Sequence, residues 1–147
     1  MNQVGQQVAA TLSRSGIKAK AMSARSLPTV IAKRRTTLID GTPADLGFVG
    51  EVQKVNPAQL LEIIEQGCVP VVAPVSSDED LKTGLNVNAD FAAASIAAAL
   101  GASQLIVMTD VAGIYRNWPD KSSLIDLISA ADLEAIKAGF AEGMAPK

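Results

Sequence analysis

The run Cys68-Val-Pro-Val-Val-Ala-Pro-Val75 and the residues directly after it constrain the fold more than any other stretch. The run is short, apolar and rich in β-branched residues, so it reads as a buried strand. Ser76–Gly84 reads as a polar loop closed by glycine, and Leu85–Leu100 passes into an alanine-rich helix. Strand, loop and helix in that order make an α/β unit. In open α/β sheets ligands gather at the carboxyl ends of strands, where helix N termini present unpaired N–H groups and a positive dipole end. Asn86, Asn88 and Asp90 fall at that point. Two readings stand side by side. In one, Asn88 is the helix N-cap and Asp90 a first-turn acid that answers the dipole. In the other, these polar groups hold a small molecule. One asparagine suffices for a cap, which leaves Asn86 over, and a carboxamide offers donors and an acceptor to a ligand's amide or carboxylate. Ala92, Ala93, Ala94, Ala97, Ala98 and Ala99 let the helix approach its neighbours closely, and they are also simply good helix formers.

A chain of 147 residues is the length of one domain and can bury about 68–70% of its unfolded surface. Its residues are 48% hydrophobic but only 3% aromatic, so the core must be built from Val, Ile, Leu and Ala. No apolar run reaches the roughly 18 residues of a membrane span, and the N terminus has no basic segment ahead of an apolar one. A cytoplasmic protein without a membrane partner is expected. The net charge of −2 and the pI near 5.1 argue against a nucleic-acid binder that works by neutralising phosphates. Lys33-Arg34-Arg35, the one basic cluster, lies in an alternating segment and reads as a solvated strand face. Cys68 is the single cysteine, expected as a buried thiol. Histidine is absent altogether, which excludes Ser-His-Asp and Cys-His catalysis and His-ligated zinc. Any chemistry must run on carboxylates, lysines, amides and backbone N–H groups.

Taken in order, Val4, Val8 and Leu12 recur at helical spacing and predict an amphipathic helix over residues 2–15, ended by Gly16. Ile17–Ser23 reads as a strand and Ser26–Pro28 as a break. Thr29–Asp40 and Gly47–Val55 read as two extended runs that form a hairpin lid or sheet extension. Asn56 as cap and Pro57 as first helical residue start a helix over Ala58–Gln66, with Leu60, Leu61, Ile63 and Ile64 inward. After Gly101 the run Gln104-Leu-Ile-Val-Met-Thr109 predicts a second buried strand. Trp118–Ser123 reads as a surface loop, and Ala130–Ala138 as a helix with Leu133 and Ile136 inward.

Four segments, Gly47-Phe-Val-Gly-Glu-Val, Leu85-Asn-Val-Asn-Ala-Asp90, Met108-Thr-Asp-Val-Ala-Gly-Ile-Tyr115 and Gly143-Met-Ala-Pro-Lys147, in this order and spacing resemble the acetylglutamate kinase family of the amino acid kinase superfamily. Trp118-Pro-Asp-Lys-Ser-Ser-Leu124 looks like its actinobacterial branch. The resemblance runs over nearly the whole chain, and the Asn-x-Asn-Ala-Asp element is its most specific part. It implies a three-layer α/β/α sandwich with a mainly parallel sheet, truncated, with a β-hairpin extension. Residues 1–103 correspond to the latter part of an acetylglutamate-binding domain and 104–147 to the opening of a nucleotide-binding domain.

The implied activity is phosphoryl transfer from ATP, with Mg2+ held mainly through the phosphates, to the side-chain carboxylate of N-acetyl-L-glutamate, the second step of the acetylated route to arginine. That nucleophile has a pKa of about 4.3 and is ionised at neutral pH, so the missing histidine is no obstacle. By resemblance Asn86 and Asn88 contact the substrate, and Asp90 holds catalytic lysines in place. Thr109, Asp110, Gly113 and Tyr115 belong to a loop at the nucleotide, Gly139, Phe140 and Ala141 make a second nucleotide contact, and Lys147 stabilises the transferring phosphoryl group. No protein-held metal is implied, and a homo-oligomer is. Family chains are roughly twice this length and carry an opening lysine-glycine-glycine strand and loop, a glycine-rich loop and a substrate-gripping arginine ahead of the part seen here. The segment Ser23-Ala-Arg-Ser-Leu27 departs from the family's pattern. The chain by itself is therefore expected to be inactive or nearly so. Another carboxylate kinase of the superfamily, or a non-catalytic fragment that needs a partner chain, are the alternatives.

Overall fold

The computed structural model describes residues 2–22, 29–38, 41–78 and 83–136. These fall into two units, Met1–Leu105 and Ile106–Lys147. In chain order the elements are α1 (Asn2–Arg14), β1 (Ala19–Met22), β2 (Val30–Arg34), β3 (Gly50–Val55), α2 (Ala58–Glu65), β4 (Val69–Val72), β5 (Val75–Ser77), β6 (Gly84–Asn86), α3 (Ala89–Leu100), a 3-10 turn at Lys121–Ser123 and α4 (Ala130–Ile136). The fold is mixed α/β, with parallel and mixed sheets.

Helix α1 forms where periodicity predicts it but turns a different face inward. Ala9 is buried and Leu12 half-buried, whereas Val4 and Val8 are 62% and 44% exposed. The helix lies on β1 and β4, and a Cβ on Gly5 would stand 3.8 Å from the Cβ of Ala21. So close an approach to the sheet favours Gly and Ala over valine. Strands β1 and β4 pair in parallel from Ala19 opposite Val69 to Met22 opposite Val72. On α2, Leu60 and Ile63 are buried, whereas Leu61 and Ile64 remain 42% and 44% exposed. Pro57 takes the cap position itself, and Asn56 supports the first turn from one residue earlier by accepting the Ala58 N–H at 3.3 Å.

The run 68–75 is two strands, not one. β4 and β5 belong to different sheets, separated at Ala73 and Pro74. Proline has no N–H for a ladder, and the Val75 N–H turns back on the Ala73 carbonyl at 2.8 Å. Ser76 and Ser77, expected in a loop, lie in β5 and are buried. The Ser76 hydroxyl donates to the Leu85 carbonyl (3.4 Å), a partner of the kind a buried serine needs. Cys68 is half-buried and not enclosed, since it precedes β4 instead of lying within it.

The second sheet runs in the order β3-β2-β5-β6. β2 and β3 are the expected hairpin, antiparallel from Val30 opposite Val55 to Arg34 opposite Gly50. β2 meets β5 in parallel, and β5 meets β6 antiparallel. The outer strands then meet again, because Val49 bridges Asn86 and the Asn86 N–H donates to the Phe48 carbonyl at 2.7 Å. Ala32, Leu85, Val87 and Ala92 form the core cluster, with Val52 packed against it and α3 lying over β3. Of the basic cluster, Lys33 and Arg34 are exposed, as a solvated face requires, while Arg35 is half-buried beside Glu51 at 3.4 Å.

In the second unit no described residue is buried. The expected strand over 104–109 is not one. Its residues carry no strand pairing, and Ile106 and Met108 are 74% and 93% exposed. A strand exists only through the neighbour that satisfies its N–H and C=O groups, and no described segment does so here. What forms instead is local. Tyr115 bridges Leu124, the Arg116 N–H donates to the Ser123 carbonyl (2.8 Å), and the Tyr115 and Trp118 rings meet edge-on at 5.2 Å. Helix α4 starts where expected. The Ser129 hydroxyl accepts the Asp132 N–H (3.1 Å) and donates to the Asp132 carboxylate (2.7 Å), and Leu133 and Ile136 are half-buried.

Candidate functional site

Asn86 closes β6, and Asn88 opens α3 two residues later. The Asn88 side-chain oxygen accepts from the Asp90 N–H at 2.9 Å and from the Phe91 N–H at 3.1 Å, so it is a full helix cap. The cap consumes the oxygen and leaves the amide NH2 as the group it can offer a ligand. Asp90 stands half-buried in the first turn of α3, where its charge complements the positive end of the helix. At its far end α3 stops on Gly101, whose φ of 62° is the left-handed conformation that glycine adopts at no steric cost. The cap reading holds for Asn88, while the Asn86 side chain is exposed and takes no part in that cap.

A groove of about 350 Å³ follows the face of α3 that carries Ala89, Ala93, Ile96 and Leu100, with Pro70 and Val72 of β4 opposite. No charged side chain lines it, so it offers nothing to hold a carboxylate or a phosphate.

In the second unit, Thr109 and Asp110 occupy exposed, irregular chain, with the Thr109 hydroxyl donating to the Asp110 carboxylate at 3.4 Å. Gly113 has φ of 155°, and Tyr115 is half-buried at its bridge to Leu124. Gly139, Phe140, Ala141 and Lys147 lie outside the described residues, as do Ser26–Pro28 and the departing segment 23–27. Among the described residues there is no group of three or more His, Cys, Asp or Glu side chains that could hold a metal ion. No helix among them is long and apolar enough to cross a membrane.

Sequence reasoning missed one neighbour of this site. The backbone of Phe48 and Val49 is bonded to Asn86, which brings the start of the hairpin strand against the candidate ligand residue. The signal available was Gly47-Phe-Val-Gly50, a glycine-bounded pair of large apolar residues in a segment that is otherwise alternating.

The elements and their two sheets place the chain in the broad class of mixed α/β proteins. Within that class the chain is a member of the amino acid kinase family, whose sequence model, described as "Amino acid kinase family", matches residues 1–147. It is 44% identical over 146 residues to the acetylglutamate kinase of Beutenbergia cavernae, covering 99% of this chain and 47% of that protein. To the acetylglutamate kinase of Saccharopolyspora erythraea it is 44% identical over 145 residues, covering 99% and 48%. The chain spans about half the length of the curated relatives it matches. Among solved structures, a Streptococcus mutans protein superposes with a TM-score of 0.73 at 27% identity, covering 99% of this chain and 56% of that one. N-acetylglutamate synthase from Neisseria gonorrhoeae, complexed with coenzyme A and N-acetyl-glutamate, gives a TM-score of 0.70 at 22% identity, covering 98% and 33%. That second likeness is one of fold alone.

Proposed function

We propose that these residues are part of an acetylglutamate kinase. The observation that carries the reading is the 44% identity to two acetylglutamate kinases, sustained over 99% of the chain. In the reaction, a side-chain carboxylate oxygen of N-acetyl-L-glutamate bonds to the γ-phosphorus of ATP. The bond from that phosphorus to the β,γ-bridging oxygen breaks, and ADP leaves with the electron pair. The products are N-acetyl-L-glutamyl 5-phosphate and ADP. The attacking group is already an anion at neutral pH, so catalysis reduces to positioning and charge neutralisation.

Asn86 grips the substrate through its exposed carboxamide, and Asn88 contributes the NH2 that its capping role leaves free. Asp90 orders the catalytic lysines. Thr109, Asp110, Gly113 and Tyr115 attend the nucleotide, Gly139, Phe140 and Ala141 add a second contact, and Lys147 stabilises the transferring phosphoryl group. A lysine suits that role as a compact point charge. Mg2+ is bound in such sites by one or two carboxylates and the substrate's own phosphates, and it would neutralise phosphate charge there. Residues 1–103 then belong to the acetylglutamate-binding domain and 104–147 to the nucleotide-binding domain. The complete protein works in the cytoplasm as a homo-oligomer, and these residues by themselves turn over little or no substrate.

Calorimetric titration with N-acetyl-L-glutamate and, separately, MgATP tests the reading. Heat with N-acetyl-L-glutamate that disappears in Asn86→Ala supports it. Equal heat from Asn86→Ala, or none from a cooperatively folded wild-type chain, overturns the placement of the substrate site at the start of α3. A coupled assay showing turnover above a Lys147→Ala control overturns the statement that the chain alone is inactive.

A further inference from the structure

Asn86 is held from two strands at once. β5 holds it opposite Val75, and the hairpin holds it from the other side through the Phe48 carbonyl at 2.7 Å and the Val49 bridge. The next residue of the hairpin is Gly50, buried and opposite Arg34 of β2. A Cβ there would lie 2.9 Å from the Leu85 Cβ, 3.0 Å from the Ala32 Cβ and 3.3 Å from the Leu85 Cδ1. Non-bonded carbons rest at about 3.5–4.0 Å. The two closest atoms are Cβ atoms, fixed to their own backbones, so no rotamer change relieves those contacts. One strand must move.

The β2 side resists, because the Arg35 N–H donates to the Val49 carbonyl at 2.8 Å and the Arg35 guanidinium meets Glu51 at 3.4 Å. On the β6 side, among the described residues, the contact is the short parallel bridge of Val49 with Asn86, with the Asn86 N–H on the Phe48 carbonyl. A methyl group at position 50 therefore pushes on Leu85, the residue next to Asn86. We propose that Gly50 is a positioning residue for Asn86. Its missing side chain lets the hairpin start close onto β6, and that closure sets the backbone from which the Asn86 carboxamide reaches the amide or carboxylate of its ligand. The inference rests on the reading of Asn86 as a substrate contact.

The test compares amide hydrogen exchange, read by NMR, in the wild-type chain, Gly50→Ala and Gly50→Ala/Ala32→Gly, together with calorimetric titration against N-acetyl-L-glutamate. In Gly50→Ala the Asn86 amide exchanges about tenfold faster and N-acetyl-L-glutamate binds about tenfold more weakly, the size of effect that about 1.4 kcal/mol produces. The Val69 amide, bonded to the Lys18 carbonyl at 2.8 Å in the other sheet, keeps its protection. Ala32→Gly opens room toward β2, so the double variant regains both properties in part. Should Gly50→Ala fail to fold, the double variant against Ala32→Gly alone carries the same comparison. Unchanged exchange at Asn86, or equal acceleration at Val69, overturns the proposal. So does unaltered affinity in a variant whose Asn86 amide has loosened. A wild-type chain that gives no heat with N-acetyl-L-glutamate counts against the substrate reading alone, and the exchange comparison then decides whether Gly50 holds Asn86.

Discussion

Two apolar stretches of similar make-up meet different ends in this molecule. Val69–Val72 pairs residue for residue with Ala19–Met22 and is a strand. The stretch 104–109, no less aliphatic, pairs with nothing among the described residues and leaves Met108 93% exposed. The same contrast separates the two units. Met1–Leu105 buries Ala32, Leu60 and Leu85 to 1% exposure, whereas the described part of Ile106–Lys147 buries no residue and is organised by polar turns such as those of Asp120 and Ser129. An apolar run is thus a candidate for a strand, and the partner backbone makes it one.

The largest effect that can break this contrast comes from truncating one apolar residue in each unit. Leu85→Ala removes a side chain from the Ala32, Val87 and Ala92 cluster and lowers stability by about 2–5 kcal/mol, read from the urea midpoint. Met108→Ala changes the same midpoint by no more than about 0.5 kcal/mol. Equal losses at the two positions would mean that 104–109 is packed in solution.

A smaller effect sharpens the division of labour at the start of α3. Asn88→Ala deletes both cap bonds and costs about 1 kcal/mol in a thermal melt. Asn86→Ala, which leaves every backbone bond of β6 in place, leaves the melt within about 0.5 kcal/mol of wild type. A stability loss at Asn86 as large as that at Asn88 would mean that Asn86 is not spare for a ligand.

The smallest effect concerns acid, and it should touch both units alike. Asp45 accepts the Gly47 N–H (3.0 Å) and meets Arg34 at 2.9 Å, and these hold its carboxyl below the ordinary aspartate value, the glycine bond first and the arginine second. Asp120 is lowered by the Ser122 hydroxyl (2.6 Å) and then the Ser122 N–H (2.9 Å). Because both folded values are depressed, the support each gives its turn is complete above about pH 4 and is lost as pH falls through the lower folded value. Both carboxylates are exposed, so the change is local loosening and not unfolding. Carboxyl-resolved NMR titration checks it, and either group titrating at or above the ordinary value contradicts it.

Much of the local structure around the candidate site was legible because its determinants are local. A cap needs an asparagine at one position ahead of a helix, and a hairpin needs alternation either side of turn residues, so Asn88 and the β2–β3 pair could be read directly. The burial of Ser76 and Ser77 could not, since it depends on β2 and β6 arriving on either side of β5. Nor could the choice of Ala9 over Val8 as the inward residue of α1, which is set by how closely the helix sits on β1 and β4.

Residue order by itself determined an α/β chain without histidine chemistry, the starts of α1, α2 and α4, and the family to which it belongs. Tertiary structure alone decided that the run at 68–75 divides between two sheets, that 104–109 forms no strand, and that Gly50 lies against Leu85 beside Asn86. The physical reason is range. Caps and turns are satisfied by groups a few residues away, whereas a strand and a close backbone approach are completed by residues that sequence neighbours cannot supply.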